Sequence, residues 1–382
     1  MKKVISSLLA FCIVLSSAFM AFAGEKKTSE KVMEQMEGAV AYLTDGASSY
    51  TVDNALDYYT LVDSCVDLSK YNEGFLKSVK DNLDANGGKL VSTYGESLTT
   101  YGAVMLILDL LGEDPADFYG YDITKAFTAM DASVTDIHPY YYRVIIPATQ
   151  LCKNADEFTK TLCDTYINTN YVMGKGMDFW GFSSDNVSYF ITAIAPYASE
   201  YPEVIKDAFT VLESYKVDGG YISNPEYGTE PNTDSTALAL MAYCSYLDVE
   251  DDQIEAYCAK INSIYNDLCK YEGSKTGVFI SSYSGTDDAY ATREALMGLE
   301  KYYIMALVQE LIEDEEESTT VPETSTDKQT TKSDAVENNK TTKPDTSKKS
   351  PATGVSTLAT ASIFALFAAA GAVTLKKKNE AE

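Results

Sequence analysis

The sequence predicts an all-α fold in which about six pairs of helices close into a ring, an α/α toroid. Three observations support this prediction. Apolar segments rich in small residues recur along the chain, a glycine-containing loop precedes each of them, and amphipathic segments of helical periodicity precede most of these loops. A helix that is apolar on all sides must be buried, and an amphipathic helix can cover it. The two kinds of helix therefore predict an inner and an outer layer.

Four apolar segments align without gaps on a Thr or Ser: TYGAVMLI from Thr100, SYFITAIA from Ser188, TALALMAY from Thr236 and TREALMGL from Thr292. The long interval between the first two leaves room for another unit, which residues 140–152 can supply. A further unit fits residues 51–65, and this brings the number of helix pairs to about six.

The loops and the amphipathic segments complete the repeating unit. The glycines lie at Gly87-Gly88, Gly181, Gly219-Gly220 and Gly277, and the amphipathic segments cover residues 72–83, 202–215 and 252–271. Each unit is thus a half-exposed helix, a glycine turn, a short polar loop and a buried helix. An open α-solenoid of the same helix pairs is the alternative arrangement that the pattern leaves open.

Two segments resemble the repeats of the terpenoid-cyclase/prenyltransferase superfamily of α/α toroids. They are Gly219-Gly220-Tyr221 with the following PNTDSTALALMAY, and DDAYATREALMGLEKYY from Asp287. The similarity covers about residues 85–305 and is closest to squalene-cyclase-like and transcobalamin-like domains of bacterial surface proteins. The resemblance implies a toroid, and it implies a cyclase or a ligand-binding activity.

The same resemblance points to Asp234. Class II terpenoid cyclases carry Asp-x-Asp-Asp-Thr-Ala, whose middle Asp is the catalytic acid, whereas residues 232–237 read Asn-Thr-Asp-Ser-Thr-Ala. The resemblance therefore implies an acid at Asp234, but Asn232 and Ser235 replace the neighbours on which such an acid depends. Prenyltransferases of the superfamily need Asp, Cys and His on zinc, and His138 is the only histidine in the chain.

A structural role for Asp234 is the simpler interpretation. Asp234-Ser235-Thr236 stands where a polar loop meets an apolar helix, and these side chains are typical N-caps. Asp185 and Asp288 precede the neighbouring apolar segments in the same way, which favours a cap over a catalytic acid. An α/α-barrel glycosidase or polysaccharide lyase is the alternative, and it needs either paired carboxylates facing one cleft or a set of Tyr, His and Arg with a cation. The candidate carboxylates are Asp178, Asp185, Asp234, Asp287 and Asp288.

Aromatic side chains near the glycine loops predict a binding surface at one end of the ring. Tyrosine occurs 29 times and tryptophan once, and their flat faces can stack on sugars, peptides or a planar ligand. The predicted binding residues are Trp180, Tyr221, Tyr227, Asp234, Asp287, Asp288 and Tyr290. Asp287-Asp288 alone is a weak calcium motif, so we predict neither a metal nor a cofactor.

Both ends of the chain carry export and anchoring signals. Residues 1–23 combine two lysines, an apolar core and Ala21-Phe22-Ala23, as a secretory signal peptide does. Residues 350–382 resemble a Gram-positive sorting signal, with Ser350-Pro351-Ala352-Thr353-Gly354, an apolar span at 355–375 and three lysines. This resemblance implies that a sortase joins Thr353 to peptidoglycan, and a plain C-terminal membrane anchor is the alternative.

The remaining segments divide the chain into a fold and a stalk. Residues 24–317 are long enough for one toroid domain, whereas residues 318–349 are too polar to bury a core and are expected to be disordered. The net charge of −27 argues against nucleic acid and against anionic membrane surfaces as partners. The membrane is therefore expected only as the anchor of the precursor. The six cysteines after the signal peptide are scattered along the chain with no short spacing between them. This pattern favours buried free thiols over disulfides.

We therefore expect a secreted, cell-wall-anchored surface protein whose ring binds a small molecule, glycan or peptide. An enzyme on the same scaffold, either a degenerate cyclase or a carbohydrate-active α/α barrel, is the alternative. A purely structural spacer is the third reading of the same sequence.

Overall fold

The computed structural model describes residues 27–226, 228–246, 249 and 253–319. Twelve α-helices, numbered here in chain order, form two concentric layers within these residues. The outer helices are α1 (Thr28–Leu43), α3 (Ser69–Ala85), α5 (Ile123–Thr128), α7 (Asp156–Asn170), α9 (Pro202–Ser214) and α11 (Ile254–Leu268). The inner helices are α2 (Ala55–Asp63), α4 (Leu98–Leu110), α6 (Pro139–Ala148), α8 (Ser184–Ile194), α10 (Thr233–Ser245) and α12 (Ala289–Thr319).

Two short hairpins occur in the glycine loops. Strand β1 (Tyr171–Val172) pairs antiparallel with β2 (Gly176–Met177), and β3 (Lys216–Val217) pairs antiparallel with β4 (Gly220–Tyr221). Short 3-10 segments cover Val52–Asn54, Thr149–Leu151, Ala195–Glu200 and Cys269–Tyr271. The hairpins lead the chain from an outer helix back to the start of the next inner helix.

Burial follows the two periodicities that the sequence displays. In outer helix α3 the buried side chains are Tyr71, Phe75, Val79 and Leu83, which recur every fourth residue on one face. Inner helix α10 instead buries every residue from Ser235 to Cys244. The inner helices therefore form the core of the ring, and the predicted all-α toroid is confirmed.

Glycine allows neighbouring inner helices to touch. A Cβ on Gly102 of α4 would lie 2.7 Å from the carbonyl oxygen of Val144 in α6. A Cβ on Gly298 of α12 would lie 2.7 Å from the carbonyl oxygen of Ala237 in α10. Real Cβ atoms do not approach so closely, so any larger residue here would push two inner helices apart.

Contacts between the first and last helices close the ring. Helix α12 packs against both α1 and α2. Arg293 Nη1 lies 2.7 Å from Asp57 Oδ1, Lys301 Nζ lies 2.6 Å from Asp63 Oδ2, and Ser29 N donates to Glu310 Oε1 at 2.8 Å. The open solenoid is therefore wrong for this chain, because an open solenoid leaves its ends apart.

The repeat register is shared by only two of the four aligned segments. Thr236 and Thr292 each accept a backbone hydrogen bond from the preceding glycine loop, from Tyr221 N and Phe279 N, at 3.0 Å in both cases. Ser188 stands one residue further from the cap of its helix than these two threonines do. The alignment on Ser188 was therefore one residue out of register.

The predicted signal peptide (1–23) and sorting signal (350–382) lie outside the described residues, as does nearly all of the predicted linker (318–349). No helix among the described residues is long and apolar enough to cross a membrane. The six cysteines are free thiols, of which Cys163 and Cys244 are buried and Cys65 is exposed. Burial was therefore the wrong expectation for Cys65.

Candidate functional site

The N-terminal ends of the inner helices meet on one face of the ring. Ser235 Oγ in the first turn of α10 donates to Asp185 Oδ1 in the first turn of α8 at 2.6 Å. One turn deeper, Tyr189 OH donates to Glu294 Oε1 of α12, also at 2.6 Å. Contacts between equivalent turns require the inner helices to run in parallel, so their first turns share this face.

Hydroxyl groups at the starts of α8 and α10 hydrogen-bond to the loop that precedes the next inner helix. Ser184 Oγ, at the first residue of α8, donates to the carbonyl oxygen of Ile222 at 2.8 Å. Thr233 Oγ1, at the first residue of α10, donates to the carbonyl oxygen of Ile280 at 2.7 Å. Asp185 and Asp234 are the next residues, so the fold fixes two carboxylates at equivalent positions of adjacent helices.

Asp234 is not the N-cap of α10. Asn232 Oδ1 accepts the backbone hydrogen bond of Ser235 at 2.8 Å and therefore caps the helix. Asp234 Oδ1 is shielded from solvent and has no hydrogen-bond partner within the described residues. The cap interpretation of Asp234 is wrong because Asn232 accepts the capping hydrogen bond and Asp234, inside the first turn, accepts none at its Oδ1.

The comparison with the neighbouring helices also changes. Ser183, not Asp185, caps α8 by accepting from Asn186 N at 3.1 Å. Asp288 does cap α12, because its Oδ1 accepts from Ala291 N at 2.9 Å. Of the three aspartates that the sequence grouped as caps, only Asp288 is one.

The surroundings of Asp234 favour its protonated form. Burial, together with the negative charges of Asp185 and Asp288, raises the pKa of Asp234 to about 6. Asp185 itself is held by three hydroxyl donors: Ser235 at 2.6 Å, Ser223 at 2.8 Å and Ser184 at 3.2 Å. One carboxyl group is thus firmly held, and its neighbour is left without a donor at one oxygen.

Glu294 completes the group, and sequence reasoning missed it. The side chain is 2% exposed, and burial and the charges of Asp185 and Asp234 raise its pKa to about 8. Tyr189 and Tyr290 both hydrogen-bond to it. The one signal was a glutamate in the apolar segment TREALMGL. Asp185, Asp234, Asp288 and Glu294 are called the face layer below.

Arg293 and Arg143 both have partners outside the face layer. Arg293 pairs with Asp57 at 2.7 Å. Arg143 Nη2 donates to Tyr140 OH at 3.0 Å and to Thr60 Oγ1 at 2.9 Å, with the guanidinium 4.5 Å from the Tyr140 ring. The face layer therefore keeps an excess of carboxyl groups.

A second charged group lies deeper in the ring and is balanced. Lys301 Nζ is 2.6 Å from Asp63 Oδ2 and 3.7 Å from Glu300 Oε1. Burial alone would raise the pKa of Asp63, but Lys301 outweighs it and lowers that pKa. Burial and the charge of Asp63 raise the pKa of Glu300 well above its usual range. Asp63, Arg143, Glu300 and Lys301 are called the inner layer.

The other predicted binding residues are spread over several environments. Trp180 is 88% exposed and Tyr290 is 53% exposed, so both rings are available to a ligand. Tyr221 is completely buried and its hydroxyl donates to Glu213 at 3.0 Å, so it does not line the face as predicted. Asp287 accepts from Ser274 at 3.2 Å. Tyr227 lies outside the described residues.

Within the described residues, no group of three or more His, Cys, Asp or Glu side chains is arranged to hold a metal ion. Asp287 and Asp288 turn to different partners, because Asp288 caps α12 and Asp287 binds Ser274. A cavity of about 510 Å³ opens elsewhere, beyond the C-terminal end of α6, lined among others by Thr149, Cys152 and Tyr197. It contains none of the predicted site residues.

Two solved structures are similar to this chain along most of their lengths. One is a polysaccharide lyase, with a TM-score of 0.51, 11% identity, and coverage of 72% of this chain and 97% of the other. The second is a glycosyl hydrolase of family 88 from Bacteroides vulgatus, with a TM-score of 0.51, 14% identity, and coverage of 72% and 99%. No family model and no curated protein matches the sequence. At these identities the likeness shows the fold alone.

Proposed function

We propose that this protein hydrolyses glycosidic bonds, with Asp234 as the general acid and Asp185 as its carboxylate partner. The observation that carries the proposal is the Asp234 carboxyl group, which caps no helix and has one oxygen without a hydrogen-bond donor. A shielded polar atom without a hydrogen-bond partner costs stability, and a role in proton transfer would explain why the protein keeps it.

The chemistry of glycoside hydrolysis matches this pair. One carboxylic acid protonates the leaving oxygen, and a second carboxylate activates water or attacks the sugar. The pKa of Asp234, raised to about 6 by burial and by its charged neighbours, keeps a proton available near neutral pH. The polysaccharide lyase and the glycosyl hydrolase that share the fold support a sugar substrate.

The charge of the face favours hydrolysis over elimination. A lyase abstracts a proton beside a sugar carboxylate, and that carboxylate must be neutralised by a cation or a protonated group. The face layer instead presents Asp185, Asp234 and Asp288, and Arg293 is already paired with Asp57. Glu294, whose raised pKa favours its protonated form, is 2% exposed and already hydrogen-bonded to Tyr189 and Tyr290. A neutral saccharide fits such a face better than a uronate, which the carboxylates would repel.

Replacement of Asp234 tests the proposal. We expect Asp234→Asn to lower the release of reducing ends from the cleaved polysaccharide by about 10²- to 10⁴-fold, with no loss of thermal stability. The substrate is first found by screening xylan, cellulose, chitin, pectin and peptidoglycan with the wild-type protein. Asp136→Asn, which changes an exposed carboxylate in the loop before α6, is the matched control and should retain full activity. Equal activity in both variants would exclude Asp234 as the acid.

The cyclase resemblance assigns the same proton-donating role to Asp234 but a different substrate. We place the glycoside ahead of an isoprenoid because Asn232 and Ser235 stand where the cyclases carry the carboxylates that flank their acid. Moreover, Asn232 is committed to capping α10. Turnover of an isoprenoid, lost in Asp234→Asn, would reverse this order.

Ligand binding without turnover is the second function that a specific observation favours. The 88% exposed Trp180 and the 53% exposed Tyr290 offer stacking faces whether or not a bond is cleaved. A binding or adhesion module would hold a glycan with equal affinity in the wild type and in Asp234→Asn, and it would release no product. Calorimetry alongside the product assay separates the two functions.

We also propose that the ring works outside the cell, joined to the wall through Thr353. Support comes from the sequence of residues 1–23 and from Ser350-Pro351-Ala352-Thr353-Gly354 with its apolar span and lysines. Sortase and peptidoglycan are the partners that this proposal requires. Thr353→Ala should move the protein from the wall fraction to the membrane fraction, and an unchanged wall fraction would contradict it.

A further inference from the structure

Four aromatic side chains cluster at the rim of the ring, where the loop before α6 meets the loop before α8. The Trp180 ring lies 5.6 Å from the His138 ring and 4.9 Å from the Phe179 ring, measured between centroids. Tyr141 lies 6.1 Å from His138. Trp180 is 88% exposed and Tyr141 38% exposed. His138, Tyr141, Phe179 and Trp180 are called the aromatic platform.

The turn that carries Trp180 is held in an unfavourable conformation. Trp180 has a φ of 56°, in the left-handed region that bulky residues avoid. Asn186 Nδ2 donates to the carbonyl oxygens of Phe179 at 3.0 Å and Gly181 at 3.1 Å, and Asp178 Oδ1 accepts from Gly181 N at 3.3 Å. Hydrogen bonds on both sides thus maintain a turn that holds the Trp180 side chain exposed to solvent.

The platform is continuous with the face layer. The ring centroid of Tyr140 lies 5.5 Å from that of Tyr141 and 5.3 Å from that of Tyr189. Tyr189 hydrogen-bonds to Glu294 at 2.6 Å. Asn186, which holds the Trp180 turn, is the neighbour of Asp185 in α8. A chain of aromatic rings therefore leads from the rim to the carboxyl groups.

We infer that the aromatic platform is a saccharide subsite that holds a sugar ring next to the one at Asp234. The inference rests on the proposed function for the location of the cleaved bond. Sugars stack their apolar faces on indole and phenol rings and direct their hydroxyls outward, towards acceptors such as the exposed Asp178 carboxylate. The platform is only a few rings wide, which suits one or two sugar units rather than the larger area of a protein partner.

Trp180 reports on this subsite directly, because it is the only tryptophan in the full-length chain. Titration of the full-length protein with xylohexaose, cellohexaose and chitohexaose should shift its emission to shorter wavelength for at least one of them. The same sugar should protect the indole from quenching by acrylamide. Tyr141→Ala and Phe179→Ala keep the fluorophore and should weaken that binding by about fivefold or more.

Tyr283→Ala is the matched control, since Tyr283 is 89% exposed in another loop and should leave binding unchanged. An emission shift without turnover by the wild type would support the subsite and overturn the proposed hydrolysis. Turnover without an emission shift, or equal loss of affinity in Tyr141→Ala and Tyr283→Ala, would overturn the subsite and leave the hydrolysis standing.

Discussion

The face layer and the inner layer both belong to the inner helices of the ring and share helix α12, yet their charges are arranged differently. In the inner layer Lys301 lies 2.6 Å from Asp63, and Arg143 adds a second buried cation. In the face layer Asp234 and Glu294 have carboxylate neighbours, and the nearby Arg293 pairs with Asp57. Glu294 and Glu300 belong to one helix, and an α-helix separates them by roughly 9 Å along its axis.

This difference separates a structural role from a chemical one. A buried carboxylate with a cation at hydrogen-bond distance is kept ionised and cannot easily release or accept a proton near neutral pH. A shielded carboxyl group surrounded by other carboxyl groups retains its proton into the range in which enzymes work. Asp63, with Lys301 at 2.6 Å, is therefore kept ionised and ties α2 to α12, whereas burial and the charge of Asp63 outweigh Lys301 at Glu300 and raise its pKa. The face layer has no ion pair of this kind among the described residues and is the one suited to proton transfer.

The largest effect that would test this contrast is on the pH dependence of stability. Burial and the charges of Asp185 and Asp234 raise the pKa of Glu294 from 4.5 to about 8, so the folded protein keeps a proton that the unfolded chain releases. Its stabilising contribution is complete below about pH 4.5 and is lost as the pH rises to about 8. Between these limits the free energy of unfolding should fall by about 4 kcal/mol from this group alone.

Urea unfolding of Glu294→Gln at pH 5 and pH 8 measures this contribution. The neutral amide should remove the part of the decrease that Glu294 contributes, and the variant should be more stable than the wild type at pH 8. Asp234 and Glu300 also have raised pKa values, so part of the decrease in unfolding free energy with rising pH will remain in the variant. Glu113→Gln, an exposed site, is the control. A decrease equal to that of the wild type would mean that Glu294 is ionised at neutral pH.

A somewhat smaller effect is expected from the inner layer. Lys301→Met keeps the length of the side chain but leaves Asp63, whose side chain is 13% exposed, without its cation. Removal of one partner of such a pair should cost about 3 kcal/mol of unfolding free energy at pH 7. Activity per folded molecule should change little, because Lys301 lies away from Asp234.

The control for Lys301 is an exposed pair of similar geometry. Lys77 pairs with Asp81 on the outer helix α3, and their side chains are 72% and 57% exposed, so Lys77→Met should cost less than about 1 kcal/mol. Chemical unfolding of both variants compares the two directly. Equal losses of unfolding free energy would show that the Lys301–Asp63 pair contributes no more stability than an exposed pair does.

The ring could be predicted from the sequence because its periodicities are long and repeated. All-apolar TALALMAY and half-apolar PEVIKDAFTVLESY differ in the number of faces they must bury, and burial then selects the inner or outer layer. The sequence favoured a closed ring over an open solenoid, but the contacts that close it, such as Arg293 with Asp57, could not be predicted because they join residues far apart in sequence. The number of repeating units alone is compatible with a closed ring and with an open solenoid.

The site was predicted less well, for a physical reason. Asp234 and Asn232 are both good caps by type, and only the backbone geometry decides that Asn232 accepts from Ser235 N at 2.8 Å. Glu294 was missed because its importance comes from burial between Tyr189 and Tyr290, on different helices, rather than from a local motif. Tyr221 was misplaced because a glycine loop can turn its tyrosine inward as easily as outward.

The smallest expected effect decides between Asn232 and Asp234 at the first turn of α10. Asn232→Ala removes the side chain that accepts from Ser235 N, so it should lower the free energy of unfolding by about 1 kcal/mol. Asn232→Asp, which can still cap, should lose less. Asp234→Ala should cost nothing at pH 8, because the carboxyl it removes is shielded at one oxygen, lies near other negative charges and accepts no cap bond. Thermal unfolding of the three variants at pH 8 checks this order. A loss of stability in Asp234→Ala as large as that in Asn232→Ala would return Asp234 to a structural role. That result would also remove the strongest support for an acid in the face layer.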